Sequence, residues 1–236
     1  MEALIRQLAR RLLPKRRRDA IARLFGSDRD LQKVFSKVYQ GGLWGAGVGG
    51  FYSGTGSHDP EVVLPYVEAM RAHLQGLKRP VRLVDLGCGD FNVGRQLVDC
   101  VDSYIGCDVV PELIARNRRE FRFRGLTFEV VNAVEDDLPD GDIVCVRQVL
   151  QHLNNRQIGA IVSKLGKYRQ WVITEALPGT SFKSNVDKAA GEHIRLVSGS
   201  GVVLTEPPFD VKPSKELVLC EVPQYGGVVR TTSYCF

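Results

Sequence analysis

The chain has 236 residues, of which 44% are hydrophobic and 25% charged, values typical of a globular protein with one domain and room for a terminal extension. This composition excludes a wholly disordered or fibrous protein, and no run of about eighteen apolar residues is present to cross a membrane as a helix. The net charge of +5 is uneven, because the first 23 residues carry +6 and the remaining 213 carry −1, so the body of the chain gives no strong signal of nucleic-acid binding.

The first predicted element is a basic amphipathic helix over residues 1–13. Its apolar face repeats at helical spacing through Leu4, Leu8 and Leu12, and the basic run KRRR follows Pro14. Helices of this kind lie on anionic membrane surfaces, so one interpretation is peripheral contact with the inner face of the membrane. The other interpretation is a solvated or dimer-forming helix, and the sequence indicates no oligomeric state.

Further helix is predicted over residues 21–40, and a glycine-rich loop follows it. Eight of the 24 glycines lie between residues 41 and 56, so this stretch cannot form a regular element. Asp59 is then the predicted N-cap of a helix over residues 60–75, with Pro60 in its first position.

The middle of the chain alternates between short apolar runs and helical stretches. Strands are predicted over residues 81–86, 104–108, 126–131, 143–146 and 171–174. Helices are predicted over residues 93–98, 111–121 and 155–167, the last with Asn154 as its N-cap. This alternation predicts an α/β fold in which helices flank a Rossmann-like, mainly parallel sheet.

Residues 176–215 interrupt the alternation, because they are rich in Gly, Ser and Pro, and they are interpreted as an irregular insertion or lid. Strands over residues 216–222 and 228–234 then surround a Gly-Gly turn, which predicts an antiparallel hairpin. We therefore divide the chain into a basic helical extension with its loop, residues 1–58, and a main domain, residues 59–236.

The cysteines favour a reducing compartment. No secretory signal precedes them, and several lie within apolar strand-like runs, so we expect free thiols in a cytoplasmic protein. No CxxC pair or Cys/His cluster at zinc spacing occurs, and no metal is expected. The six residues are Cys88, Cys100, Cys107, Cys145, Cys220 and Cys235.

The sharpest motif is LVDLGCGDFNVG, in which a hydrophobic strand runs into Gly87-Cys88-Gly89. Glycines there allow the backbone to approach a ligand closely, and N–H groups are free where a helix begins. Nineteen residues after Gly89, the next predicted strand ends at Asp108, where a carboxylate can accept hydrogen bonds from both ribose hydroxyls. These features indicate a nucleoside-binding α/β domain.

The same motif distinguishes between two cofactors. A nicotinamide fingerprint needs a third glycine where this chain has Asn92. Asp85 and Asp90 would repel a pyrophosphate but favour a cationic sulfonium or an amino group. The motif therefore favours S-adenosylmethionine (SAM), whose amino group either Asp85 or Asp90 could bind.

Residues 81–175 resemble the class I SAM-dependent methyltransferases. VDLGCGD is similar to the first motif of that family, YIGCD to the second, FEVVNAVEDDLP to the third and DIVCVRQVLQHL to the fourth. The resemblance implies a seven-stranded sheet with an antiparallel last strand, SAM as cofactor and S-adenosylhomocysteine as product. It implies a cofactor site formed by Asp85, Gly87, Cys88, Gly89, Asp90, Asp108, Val109, Asn132, Ala133 and Arg147. Asn132 stands where the family usually has Asp, and its amide oxygen can still accept a hydrogen bond from adenine.

A looser resemblance links segments on either side of this core to methyltransferases of bacterial surface-glycan and phage clusters. It implies a sugar, a glycan or another small hydroxyl compound as the acceptor; the alternative is that both segments are loops packed on the core. The residues that carry it are Trp44, Ser53, Gly54, Gly56, Ser57, Asn185, Asp187, Gly191, Arg195 and Pro207, Pro208 and Phe209.

The candidates for catalysis follow the fourth and fifth strands. His152 is the candidate base for a hydroxyl, or else a residue that caps its loop. Arg147 could bind an anionic group of the acceptor or hold a loop, and Glu175 could be a second base, orient the acceptor or be a solvated strand end. His193 and Arg195 could line an acceptor site if the insertion folds over it.

Other chemistries are disfavoured by the fourth strand. Methyltransferases of base amines carry a D/N-P-P-Y/F-type motif where this chain reads VRQVLQ, and the same neutral or basic residues disfavour a catalytic metal. The sequence therefore predicts a metal-independent methyltransferase acting on oxygen. The alternatives are a protein or RNA methyltransferase and a non-catalytic partner subunit with the same fold.

Overall fold

The computed structural model describes residues 30–47, 50–224 and 226–236. Seven strands form one sheet in the order β3-β2-β1-β4-β5-β7-β6. They are β1 (Arg82–Leu86), β2 (Ser103–Asp108), β3 (Leu126–Val130), β4 (Ile143–Arg147), β5 (Gln170–Pro178), β6 (Lys215–Gln224) and β7 (Gly227–Cys235). The first five strands pair in parallel, and β7 lies antiparallel to both β5 and β6. The predicted α/β architecture with its antiparallel last strand is confirmed.

Four α-helices lie in the described ranges: α1 (Leu31–Gln40), α2 (Pro60–Gln75), α3 (Pro111–Glu120) and α4 (Asn155–Leu165). Asp59 caps α2 by accepting a hydrogen bond from the backbone N–H of Glu61, as the sequence predicts. Asn154 and Gln157 form a reciprocal capping box at the start of α4. The helix over residues 1–13 and the predicted helix over residues 21–29 lie outside the described residues.

Alternation along the strands divides the buried side chains between the two faces of the sheet. On β4, Val144 and Val146 belong to a cluster that includes α4, whereas Ile143 and Cys145 belong to a second cluster that includes α2. Both faces of the sheet are therefore covered by helices, which is why its central strands are almost continuously apolar.

Three predicted boundaries are wrong. Residues 93–98 form no α-helix but two 3₁₀ turns, Gly94–Gln96 and Val98–Cys100. The ring of Phe91 and the hydroxyl of Tyr104 occupy the space that a Cβ at Gly94 would need. β5 continues to Pro178 because it pairs with β7 over its whole length, so the irregular segment begins later than predicted. Helix α4 ends at Leu165, where Gly166 is its C-cap.

The segment over residues 179–214 is irregular, as predicted, and contains one short 3₁₀ turn, Arg195–Ser198. It is nevertheless part of the core, because Val202, Leu204 and Val211 are buried in the same cluster as α4. All six cysteines are free. Among the described helices, none has the length and apolar character that a membrane span requires.

Candidate functional site

A cavity opens at the carboxyl ends of β1, β2 and β4. In the sheet, β1 lies between β2 and β4, so the strand order reverses at β1, and ligands of α/β proteins bind at such a point. The sheet forms its floor, and α1 with the glycine-rich loop forms its roof through Phe35, Tyr39 and Trp44. The insertion contributes Glu192 and Ile194 to its wall. The cavity therefore combines residues from widely separated parts of the sequence.

Asp108 ends β2 on the cavity wall and is fixed by backbone groups. One carboxylate oxygen accepts the N–H of Gly89 at 3.2 Å and the other accepts the N–H of Val110 at 3.1 Å. Burial raises the pKa of Asp108 to about 6, although these backbone donors favour the ionised form. Asp108 is therefore fixed in position, buried and equipped with two carboxylate oxygens. These are the properties required to accept hydrogen bonds from the two ribose hydroxyls.

The glycine turn between β1 and the first 3₁₀ turn has the backbone conformation that a ligand cradle needs. Gly87 has φ +80° and Gly89 has φ +56°, and both lie in the left-handed region. A Cβ at Gly87 would overlap Val149, and one at Gly89 would overlap the hydroxyl of Ser53. The two glycines are therefore required by packing as well as by conformation.

The two carboxylates that the sequence offers for the amino group of SAM have different surroundings. Asp85 accepts a hydrogen bond from the Tyr104 hydroxyl at 2.7 Å through one oxygen, and burial raises its pKa to about 6. Its other oxygen accepts no hydrogen bond from the described residues. Asp90 accepts the backbone N–H of Ser53 at 2.9 Å and lies 2.6 Å from His58 Nε2. Asp90 thus fastens the loop, which leaves Asp85 as the better-placed acceptor.

Val109, Asn132 and Ala133, which the resemblance assigns to adenine, line one end of the cavity. The side-chain oxygen of Asn132 accepts the N–H of Val134 at 3.1 Å, so the amide has a fixed orientation. Phe35 of α1 packs against the same cluster as Val109 and Ala133, and it closes this end from above. Together these residues form an apolar slot with one polar edge, as a purine requires.

Arg147 holds a loop rather than an acceptor anion. Its guanidinium donates to the carbonyl of Gly56 at 2.6 Å and to Ser57 Oγ at 3.2 Å, and it lies 4.7 Å from the ring centre of Tyr66. Burial lowers the pKa of Arg147, while the nearby Tyr66 and Asp85 act in the opposite direction. The residue therefore fastens the glycine-rich loop to the end of β4.

His152 lies in a 3₁₀ turn after β4, on the cavity wall, and its ring is 8% exposed. The carbonyl of Gly191 accepts a hydrogen bond from Nδ1 at 3.1 Å, and the N–H of Gly191 donates to the His152 carbonyl at 3.0 Å. The proton therefore resides on Nδ1, and Nε2 carries the lone pair, which faces the side-chain Nε2 of Gln151 at 3.5 Å. Burial lowers the pKa of His152 to about 4, so the ring is neutral at neutral pH.

Glu175 is neither a solvated strand end nor a cavity residue. It is buried, and its two oxygens accept the N–H groups of Leu150 and Gln151, each at 2.9 Å. Burial raises its pKa to about 8, whereas the two N–H donors and the charge of Arg195 lower it. Glu175 consequently fixes the turn that carries His152, and we assign it no contact with the acceptor.

The remaining histidine and arginine of the insertion also lie away from the cavity. His193 is 76% exposed and pairs with Glu192. Arg195 is buried and donates to the carbonyl of Leu153 at 2.8 Å and to Asn155 Oδ1 at 2.9 Å. The expectation that these two side chains line an acceptor site is wrong, because one faces solvent and the other fastens the insertion to α4.

The looser resemblance identified part of the wall. Trp44, Ser53, Gly54, Gly56 and Ser57 all line the cavity. Trp44 Nε1 donates to the carbonyl of Glu192 at 3.2 Å, so the glycine-rich loop and the insertion meet over the site.

Sequence reasoning missed Gln148, Gln151 and the two aromatic residues of α1, Phe35 and Tyr39, all of which line the cavity. The sequence shows that the two aromatic residues are at helical spacing. It does not show which surface of the protein they cover. No sequence signal marks Gln148, which lies one residue beyond β4. Within the described ranges, no group of three or more His, Cys, Asp or Glu side chains could hold a metal ion.

Comparison with known proteins agrees with this geometry. The family model described as "Methyltransferase domain" matches residues 83–168. Magnesium protoporphyrin IX methyltransferase from Synechocystis PCC 6803, solved with S-adenosylhomocysteine, is 16% identical; the match covers 87% of this chain and 99% of that chain, with a TM-score of 0.56. Human N-acetylserotonin methyltransferase, solved with SAM, is 12% identical, and the match covers 86% of this chain with a TM-score of 0.56.

The chain spans only 59% of the human protein and 53% of a SAM-dependent methyltransferase from Mesorhizobium loti, to which it is 21% identical over 48% of its own length with a TM-score of 0.40. No curated protein sequence matches the chain. The solved structures share the fold, and their names indicate unlike acceptors. The matched domain, the seven-stranded sheet and the cavity with Asp108 agree: residues 83–168 match a methyltransferase domain, and the chain has the fold of the class I SAM-dependent methyltransferases, whose cofactor is S-adenosylmethionine.

Proposed function

We propose that this methyltransferase acts, without a metal, on a hydroxyl of a sugar, a glycan or another small acceptor, with His152 as the general base. The observation that carries the proposal is the fixed tautomer of His152 on the cavity wall, with Nδ1 bonded to the carbonyl of Gly191. A neutral imidazole whose Nε2 carries the lone pair can accept the proton of a hydroxyl as that oxygen is alkylated, in place of its 3.5 Å contact with Gln151 Nε2.

The cofactor supplies an activated methyl group on its sulfonium. On the protein side, Asp108 fits the ribose hydroxyls, and Asp85 fits the amino group through the oxygen that accepts no hydrogen bond from the described residues. Burial keeps His152 deprotonated at neutral pH, which is the state a base requires. The residues of this chain therefore bind SAM and the acceptor, and His152 receives the proton of the acceptor hydroxyl.

The aromatic roof supports a ring-shaped acceptor. The ring centre of Trp44 lies 5.0 Å from that of His152, and Phe35 lies 6.4 Å from His152 in an edge-on arrangement. Aromatic walls of this kind bury the apolar face of a ring and leave its polar substituents to a few placed groups. Water is excluded from the base by the same side chains.

The proposal is tested by incubating the purified protein with labelled SAM and a panel of hydroxyl acceptors, followed by a cell extract. We expect the label in glycan or small molecules. Label in protein or RNA supports those acceptors instead, and no transfer to any of them contradicts the proposal.

His152→Ala should lower turnover by about 100-fold or more while SAM affinity, measured by calorimetry, stays unchanged. His193→Ala is the matched control, because that histidine is exposed and does not line the cavity. Full turnover in His152→Ala would remove His152 as the base.

A further inference from the structure

Gln148 has an unusual backbone conformation for its residue type. It lies directly after β4, on the cavity wall, and has φ +54°. The left-handed region costs free energy for a residue with a Cβ, and such positions concentrate at functional sites. The N–H of Gln148 donates to the carbonyl of Thr174 at 2.7 Å, so the neighbouring strand β5 holds the residue in this conformation.

The side-chain amide of Gln148 lies against the glycine-rich loop and has no hydrogen-bonding partner among the described residues. A Cβ at Gly56 would overlap Gln148 Oε1, which shows that the amide lies directly against the loop backbone. Over residues 30–47, 50–224 and 226–236, neither Oε1 nor Nε2 takes part in a hydrogen bond. A positioned amide with free donors and a free acceptor on a cavity wall is suited to bind a ligand.

Two other non-glycine residues with positive φ show the contrast. Phe91 is fully buried in an aromatic cluster, and Asn185 donates from its amide to the carbonyls of Val203 and Pro207. In each of these two residues the side chain itself is engaged, by packing or by internal hydrogen bonds. In Gln148 only the backbone N–H is engaged, by Thr174, and the side-chain amide of this cavity-wall residue makes no hydrogen bond within the described residues.

The charges around the cavity define the class of ligand. Its described ionised side chains are the carboxylates Asp85, Asp90, Asp108 and Glu192 and the single cation Arg147. Arg147 donates to Ser57 and Gly56 through its two terminal nitrogens, while its Nε is buried without a partner among the described residues. An anionic acceptor would therefore meet net negative charge, opposed by one cation that already holds a loop, whereas a neutral hydroxyl compound is not repelled.

We propose that Gln148 binds the acceptor, with its amide bridging two neighbouring hydroxyls of a neutral sugar ring while Trp44 covers the ring. Oε1 accepts from one hydroxyl and Nε2 donates to the oxygen of the next, a pair of bonds that a vicinal diol offers and an isolated phenol does not. This inference rests on the proposed function, because it assigns the acceptor class of the same site.

The test is calorimetric titration of neutral methyl hexosides, and of the corresponding sugar phosphates, into the full-length protein saturated with S-adenosylhomocysteine. We expect the hexosides to bind and the phosphates to bind at least about tenfold more weakly. Gln148→Ala should weaken hexoside binding by about tenfold or more and leave cofactor affinity unchanged. The exposed Gln75 provides the matched control, Gln75→Ala, which should bind like the wild type.

A second variant separates binding from folding. Gln148→Gly removes the amide and also relieves the strain of the positive φ, so its melting temperature should rise while hexoside binding falls. A lower melting temperature with lost binding would show a structural role and overturn the inference, as would unchanged binding in both variants or the absence of hexoside binding in the wild type.

The same titration distinguishes this inference from the proposed function. If a hexoside binds through Gln148 but receives no methyl group from SAM, the proposed reaction fails and the assigned binding site stands. If hydroxyl compounds are methylated but Gln148 variants bind them normally, the reaction stands and the inference fails.

Discussion

The two ends of the cavity are built differently. At the cofactor end, Asp85, Gly89 and Asp108 come from two adjacent parallel strands and the turns that follow them, and Asp108 is fixed by N–H groups within nineteen residues. At the end proposed to bind the acceptor, contacts join distant segments: Arg147 to Gly56 and Trp44 to Glu192. One end is a product of local turns in a repeating α/β unit, and the other depends on the packing of loops.

This difference explains why the sequence identifies the class of cofactor but does not identify the acceptor. The cofactor end needs glycines and a carboxylate at fixed spacing, because the fold brings the ends of parallel strands to one edge. The acceptor end can be rebuilt by exchanging loops without disturbing the sheet, so neighbours of the same fold have names that indicate unlike acceptors.

The largest effect on SAM affinity is expected from a substitution at the cofactor end of the cavity. Asp108→Ala removes the acceptor for the ribose hydroxyls and should weaken SAM binding by about 3 kcal/mol, more than about 100-fold, in calorimetry. Asp99→Ala, which removes an exposed carboxylate paired with Arg71, is the control and should bind SAM normally. Unchanged affinity in Asp108→Ala would overturn the ribose assignment.

The second prediction tests whether turnover can be lost while SAM affinity is kept. Glu175→Gln removes one of the two acceptors for the turn of His152 and should lower the free energy of unfolding by about 2 kcal/mol in urea. Because His152 then loses its fixed position, turnover should fall while SAM affinity is kept. The exposed Glu129 provides the control, Glu129→Gln. A parallel loss of SAM binding would mean that the two ends are not independent.

A third prediction uses the raised pKa values at the cofactor end. Burial raises the pKa of Asp85 and of Asp108 to about 6, and a bound cation and ribose favour the ionised forms. Binding therefore releases protons below that pH, and SAM affinity should fall by about tenfold for each carboxyl group as the pH is lowered from 7 to 5. Between pH 7 and 8 the affinity should be flat; a steady slope there would assign the titration to other groups.

The smallest effect is expected at a site that belongs to neither end. Arg230 Nε lies 2.5 Å from Glu221 Oε1 across β7 and β6, and both side chains are 43% exposed. Arg230→Ala should therefore change the free energy of unfolding by less than about 1 kcal/mol and leave SAM affinity and turnover unaltered. A larger change would show that the hairpin contributes to the cavity.

Much of the fold could be predicted because its signals are local. The N-caps at Asp59 and Asn154 and the apolar strands were correct, since caps and alternation depend on neighbouring residues. The segment over residues 93–98 was mispredicted: it forms 3₁₀ turns, and the ring of Phe91 leaves no room for a side chain at Gly94, a contact that helical spacing does not reveal. The length of β5 was underestimated, since its partner β7 lies more than fifty residues later.

The candidate site divides in the same way. Asp108 and the glycine turn were identified from spacing, and the structure places them together on the cavity wall. Glu175 and Arg195 were candidates for chemistry, yet both are buried and hold the turn of His152 and the insertion. A charged residue at a strand end does not reveal whether it faces a ligand or a backbone N–H group, and that choice depends on how distant loops pack.

The sequence by itself determined the α/β class, the glycine turn that ends at the cavity and the uneven charge, because each depends on residue types at short spacing. Only the tertiary structure decided which polar groups are engaged within the protein: two terminal nitrogens of Arg147 by the glycine-rich loop, Asp90 by His58 and Ser53, and Glu175 by the turn after β4. The amide of Gln148 makes no hydrogen bond within the described residues, and the role proposed for it rests on that observation. The physical reason is that a buried polar atom already bonded to the protein cannot also bind a ligand. Which polar atoms are bonded to the protein depends on how distant segments pack.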